Sequence, residues 1–182
     1  MRITGGAFRS RSLASPSGSE TRPTADRVRE ALFSILENRY ELTGARVLDL
    51  YAGTGALGLE ALSRGASHVT FVERRREALA AIRTNVTSLG VLAQSELMPR
   101  TVHAALAALA GPFELIFADP PYADVQSGVA AEVMSGLARL LGEGSVFVLE
   151  HGKKAAAPSI AGLGCVDSRT YGDTALVFYE PR

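Results

Sequence analysis

Residues 45–66 read ARVLDLYAGTGALGLEALSRGA, and this stretch decides the fold. Val47 to Leu50 form a short apolar run, a loop with Gly53, Gly55 and Gly58 follows, and a helix-forming segment stops at Gly65. Strand, glycine loop and helix in that order match G-x-G-x-x-G, in which close backbone approach and a helix amino terminus serve a bound cofactor. The motif alone does not say which cofactor.

The same alternation runs outward along the chain. HVTFVE (68–73) reads as a strand and RREALAAIRTNVTSLG (75–90) as a helix halted by Gly90. A short strand is expected near Ser95–Met98 or Arg100–His103, then a helix over 104–110. FELIFADPPY (113–122) gives a strand, VQSGVAAEVMSGLARLLG (125–142) a helix, and GSVFVLEH (144–151) a strand. Extended runs at 164–171 and 175–180 flank the turn GDT. Strands alternating with helices imply right-handed crossovers and an α/β fold, with a mostly parallel sheet covered on both faces. The closing hairpin implies an antiparallel edge. Upstream, residues 1–21 read as a loose strand or hairpin. RPTADRVREALFSILENRY (22–40) reads as a helix, with Val28, Ala31, Leu32, Ile35 and Leu36 on one face. The expected division is a basic extension over 1–40 and the sheet domain over 41–182.

Composition narrows the class. The 182 residues are 47% apolar and contain one cysteine, Cys165, which excludes an internal disulfide and a multi-cysteine zinc cage. His68, His103 and His151 are scattered along the chain, so no metal is expected. No apolar run of membrane-spanning length and no signal-like start occurs, so a soluble cytoplasmic protein without a membrane partner is expected. Nothing suggests a coiled coil or a long apolar edge, and a monomer is expected. Lys plus Arg balance Asp plus Glu at 19 each, yet the first forty residues carry seven arginines against four acids. An arginine-rich arm of that kind suits a phosphate backbone.

Two acids accompany the glycine loop. Asp49 sits inside the strand, where a carboxylate would repel a pyrophosphate but suit a cofactor with positive charge and no phosphate. S-adenosylmethionine has that character. Glu73 closes the next strand, where an acid can accept hydrogen bonds from ribose hydroxyls. Candidate cofactor-binding residues are therefore Asp49, Tyr51, Ala52, Gly53, Thr54, Gly55, Glu73 and Arg74. Around ELMPRTVHAAL (96–106) a polar contact to the cofactor adenine is expected near Thr101 or His103, with no aspartate there to make it.

The apolar run Leu115–Ala118 leads straight into Asp119, Pro120, Pro121 and Tyr122. Two prolines fix two φ angles and remove two backbone donors. For an acceptor with an amino group conjugated to a ring, the Asp119 carboxylate and the Pro120 carbonyl can each accept one N–H. Together they orient a poor nucleophile for in-line attack on a methyl group, and Tyr122 offers a stacking face. These four are the candidate catalytic residues.

With DLYAGTGALG (49–58) upstream, DPPY (119–122) resembles the amino-group methyltransferases of class I, Rossmann-like type. ITGGAFRSRSL (3–13), RPTADRVREALFSIL (22–36) and YGDTALVFYE (171–180) sharpen this. They resemble the bacterial family that methylates a guanine N2 in small-subunit ribosomal RNA. The resemblance implies a seven-stranded sheet and S-adenosylmethionine as cofactor. It also implies 30S particles or assembly intermediates as substrate, with Arg9, Arg11, Arg22, Arg27 and Arg29 facing RNA. Alternatives on the residues themselves are adenine N6 or a glutamine amide as acceptor, a nicotinamide dehydrogenase, and a non-catalytic RNA-binding assembly factor.

Overall fold

The structure is a computed structural model that describes residues 1–16 and 23–182, the side chains of residues 23 and 24 excepted. Seven strands form one sheet: β1 (Arg46–Leu50), β2 (His68–Val72), β3 (Ser95–Met98), β4 (Phe113–Ala118), β5 (Leu141–Gly152), β6 (Leu163–Tyr171) and β7 (Thr174–Pro181). Their order across the sheet is β3-β2-β1-β4-β5-β7-β6. The pairs among β1 to β5 are parallel, and β7 runs antiparallel to both its neighbours. The α/β fold read from the sequence is borne out, with one refinement at the closing hairpin. Its second strand, TALVFYEP, is nearly all buried and inserts beside β5, while the polar β6 forms the edge. That order follows from hydropathy, since an interior strand is covered on both faces.

Helices α1 (Pro23–Arg39), α2 (Ala56–Ser63) and α3 (Arg76–Leu89) cover one face. There Val28, Leu32, Phe33, Leu59 and Ile82 pack on Val47, Phe71, Phe117 and Val148. Phe33 meets Phe117 with ring centroids 5.7 Å apart. The other face carries α4 (Val102–Ala108), α5 (Tyr122–Gln126), α6 (Val129–Val133) and a 3₁₀ turn at Met134–Leu140, over Leu48, Ile116 and Phe147.

The segment between β4 and β5 corrects the sequence reading, which expected one helix over 125–142. Gly128, at φ +81°, breaks the helix after α5. Met134, Leu137 and Leu140 are then buried at a spacing of three, the repeat that aligns side chains on a 3₁₀ turn. Leu141 already belongs to β5, three residues earlier than expected. Near residue 100 the strand is β3, and Thr101 caps α4 by accepting from Ala104 N at 3.3 Å, so that helix begins at Val102 rather than Ala104.

The first sixteen residues form the expected hairpin, with Ile3 N donating to Arg11 O (3.0 Å), Ser10 N to Ile3 O (2.9 Å) and Leu13 N to Met1 O (3.1 Å). Residues 17–21 of that expectation lie outside the described residues. The hairpin is tied to the sheet domain by Glu60 of α2, which is fully buried. The Glu60 carboxylate accepts from Thr4 N, Thr4 Oγ1 and Gly5 N, each at 2.8 Å, and from Arg29 Nε (3.2 Å) and Arg64 Nε (2.9 Å). Asn85 adds a second tie by bonding Ala14 at both its amide and carbonyl and donating to Thr54 O. Among the described residues, no helix is long and apolar enough to cross a membrane.

Candidate active site

The order of the sheet reverses between β1 and β4, and ligands of open α/β sheets bind beyond the carboxyl ends at such a point. There Leu50 pairs with Ala118, so the glycine loop and the Asp119 turn leave the sheet side by side. Tyr51 turns the chain at φ +57°, in the left-handed region that non-glycine residues seldom occupy, and Gly53 follows at the same angle. Such strain concentrates at functional sites. At Gly58 a Cβ would lie 2.4 Å from Phe71 Cε1 and 2.7 Å from Val69 Cγ1, so glycine lets α2 rest directly on β2.

Three amides of the loop and helix start are already used. Gly58 N donates to Asp49 Oδ2 (2.9 Å), Gly53 N to Glu73 Oε2 (2.9 Å) and Gly55 N to Ala52 O (2.7 Å). Glu73 Oε1 also accepts from Arg74 N (2.9 Å) and Arg75 N (2.8 Å), which braces the end of β2. Two of these donors are held by acids, whose charge disfavours a pyrophosphate there. The loop suits a cofactor that brings positive charge. Burial, with smaller contributions from the Asp119 and Glu73 charges, pushes the Asp49 pKa up to about 8 against the opposing Gly58 bond. An incoming cation would favour the ionised form.

Two adjoining cavities meet here. The larger, about 650 Å³, is lined by Tyr51, Gly53, Glu73, Arg74, Thr101, His103 and the whole run Asp119–Tyr122, among others. The smaller, about 260 Å³, includes Asp49, Ala52, Thr54, Arg29 and Glu150, and shares Tyr51, Gly53 and Asp119 with the first. Of the residues expected at the cofactor, only Gly55 lines neither cavity; it starts α2 at φ +78°.

The Asp119 turn is built rigidly. Pro121 O accepts from Asp124 N at 2.9 Å, whereas Pro120 O meets no donor among the described residues and is left for a ligand. Tyr122 is 44% exposed; its hydroxyl accepts from Gln126 Nε2, and its ring packs so closely on Gly152 that a Cβ there would lie 2.5 Å away. Asp119 is exposed to the cleft, yet the protein packed around its carboxyl pushes its pKa up to about 6.

The arginines separate into two kinds. Arg9, Arg11 and Arg27 are exposed, with Arg11 Nη2 donating to Ser88 O (2.8 Å). Arg29, expected to be free to face a ligand, is instead 4% exposed and held by Glu60 and Asp26. Amphipathic spacing put it off the apolar stripe, but the acid that draws it inward lies 31 residues away in sequence. Arg22 falls outside the described residues.

Sequence reasoning missed Arg75 and Arg100, exposed at the larger cavity, and above all Glu150. Glu150 closes VFVLE as Glu73 closes HVTFVE, a lone acid at the end of an apolar strand. That pattern would have marked it.

The family model described as Conserved hypothetical protein 95 matches residues 1–180. The chain belongs to that family. It is 35% identical to the Bacillus subtilis (strain 168) protein named "Putative rRNA methyltransferase YlbH", over the full length of both chains. It is 38% identical to the Escherichia coli K12 protein named Ribosomal RNA small subunit methyltransferase D, over 67% of this chain and 60% of that one. The solved structure of the Thermus thermophilus protein TTHA0928 is 32% identical, with TM-score 0.82 and 98% of each chain covered. The family resemblance carried by DPPY and the amino-terminal segments is borne out, and so is the methyltransferase class.

Proposed function

We propose that this protein methylates the exocyclic N2 of a guanine in small-subunit ribosomal RNA, on 30S particles or their assembly intermediates in the cytoplasm, with S-adenosylmethionine as cofactor. One observation carries the reading. Asp119 and the unpaired Pro120 carbonyl stand at the carboxyl end of β4, in one cleft with a glycine loop braced by Glu73 at Gly53 N and by Asp49 at Gly58 N. The rRNA methyltransferase names of the relatives support the substrate class.

S-adenosylmethionine supplies, when bound, a methyl group on a positively charged sulfur. Asp49, Tyr51, Ala52, Gly53, Thr54, Glu73 and Arg74 would hold it, with Gly55 shaping the loop and Thr101 or His103 at the adenine. On the acceptor side, Asp119 and Pro120 O each accept one N–H of the amino group. This draws its lone pair out of conjugation and aims it for in-line displacement. Tyr122 stacks the base, and Asp119 receives the proton that the nitrogen sheds. Rigid prolines hold that geometry before the base arrives, so little reorganisation accompanies the reaction. The extension over residues 1–40, with Arg9, Arg11, Arg22 and Arg27, grips the flanking backbone of a base splayed from its stack.

The test is methyl transfer from labelled S-adenosylmethionine to unmethylated 30S particles, followed by digestion to nucleosides. Label in N2-methylguanosine that disappears in Asp119→Ala is the expected result. Label in N6-methyladenosine, or on a glutamine side chain, would overturn the acceptor.

A further inference from the structure

Glu150 has no place in the chemistry above, yet it stands beside it. In the β4–β5 register Phe117 faces Val148 and Ala118 faces Leu149, so the next position sets Asp119 opposite Glu150. Alternation along the strands puts both on the sheet face that holds Phe117 and Val148, under α1. Both line the smaller cavity. Among the described residues the Glu150 carboxyl makes no hydrogen bond or ion pair. An unpartnered acid on a cavity wall is available to accept from a ligand.

Sheet order says which ligand brings it. Across the carboxyl ends the acids fall in the sequence Glu73 (β2), Asp49 (β1), Asp119 (β4) and Glu150 (β5). The glycine loop and Glu73 would hold the cofactor over the β2 and β1 ends. In-line displacement requires the acceptor on the far side of the methyl group, toward β4 and then β5. We infer that Glu150 reads the acceptor base, its carboxylate accepting the N1–H of guanine next to the N2 amino group held by Asp119. The inference rests on the proposed guanine-N2 reaction and deepens it.

The edges of the bases explain why this would discriminate. Guanine presents N1–H and N2–H side by side, both donors. Adenine presents an N1 lone pair next to its N6 amino group, which an acceptor-only carboxylate repels. In the free site burial, and then the Asp119 charge, push the Glu150 pKa up to about 8 while Arg29 opposes the rise. A base N–H favours ionisation, so binding guanine converts the acid into the acceptor that guanine needs.

The experiment compares 30S particles carrying guanosine or 2-aminopurine at the mapped target position. 2-Aminopurine keeps the exocyclic amino group but has a lone pair at N1. Wild-type protein is expected to favour guanosine by about 100-fold in kcat/KM, since a site built for a donor rejects an analogue lacking it. In Glu150→Gln the amide can donate to N1 of 2-aminopurine, so the preference falls below about tenfold. The Kd for S-adenosylmethionine, which also reports a folded protein, stays within about threefold. Glu150→Ala carries the same expectation. A variant that discriminates like the wild type overturns the assignment. Cofactor affinity that falls in step with the rate gives Glu150 to the cofactor instead. Failure of wild-type protein to label guanosine at all overturns the guanine-N2 reading, and this inference with it.

Discussion

Glu60 is the residue whose loss should be felt most widely. It is fully buried on α2 and receives five donors from the amino-terminal hairpin, α1 and its own helix. Glu60→Gln keeps the shape but removes the charge and turns one oxygen into an NH₂ group. Oε1 meets three donors and Oε2 two, Thr4 N and Arg29 Nε. Whichever way the amide settles, at least two donors face another donor. Arg29, only 4% exposed, is left with Asp26 as its one carboxylate partner. Breaking a buried ion pair by removing one partner costs about 3–5 kcal/mol. For a domain of this size each kcal/mol lowers Tm by about 2–4 °C, so the midpoint should fall by about 6–20 °C. Thermal and urea unfolding of Glu60→Gln, Arg29→Met and the double variant measure it. The two substitutions should be coupled by about 1–3 kcal/mol, because the second removes the charge that the first strands. A Tm within about 3 °C of wild type, or strict additivity, would refute the reasoning.

Three further outcomes are expected. Asp49, at about 8 in the free site, holds a proton that a cationic ligand must displace, whereas Asp119, at about 6, is mostly ionised above that pH. Affinity for S-adenosylmethionine should therefore rise with pH from 6 to 8, by up to about tenfold per unit as Asp49 ionises; a flat calorimetric profile would oppose this. Gly58→Ala should destabilise by about 1–3 kcal/mol despite the better helix propensity of alanine. The new methyl lies within 2.7 Å of both Phe71 and Val69, and urea unfolding reports the loss. Arg11→Glu should lower methyl transfer to RNA by about tenfold at low salt, less at high salt, with cofactor Kd unchanged; equal loss of both would remove Arg11 from the RNA surface.

Much of the sheet was legible because apolar runs ending in glycine or an acid leave few alternatives. From β1 to β2, and again at β4, the strands fall where hydropathy put them. The adjacency of Asp49 and Asp119 followed from the switch point, a property of topology rather than of any local pattern. What hydropathy could not show is what depends on distant partners or on backbone angle. The segment 125–142 carries helical composition, and only the positive φ of Gly128 breaks it. Arg29 looks like a surface arginine until α2 brings Glu60 beneath it. Glu150 was overlooked because its meaning comes from Asp119 on the neighbouring strand.

The placement of β7 between β5 and β6 has a consequence during synthesis. A chain made from its amino terminus completes β5 at Gly152 and reaches the end of β7 at Pro181. At about 5–20 residues per second those 29 residues take about 1.5–6 s. Until β7 is made and pairs, the apolar run VFVL, residues 146–149, has an unpaired edge on the side β7 will fill. An open edge of that character templates pairing with other chains. Pausing within residues 153–173, or release of a chain that ends there, would therefore yield a nascent species prone to aggregation, although every strand but the closing pair is already made.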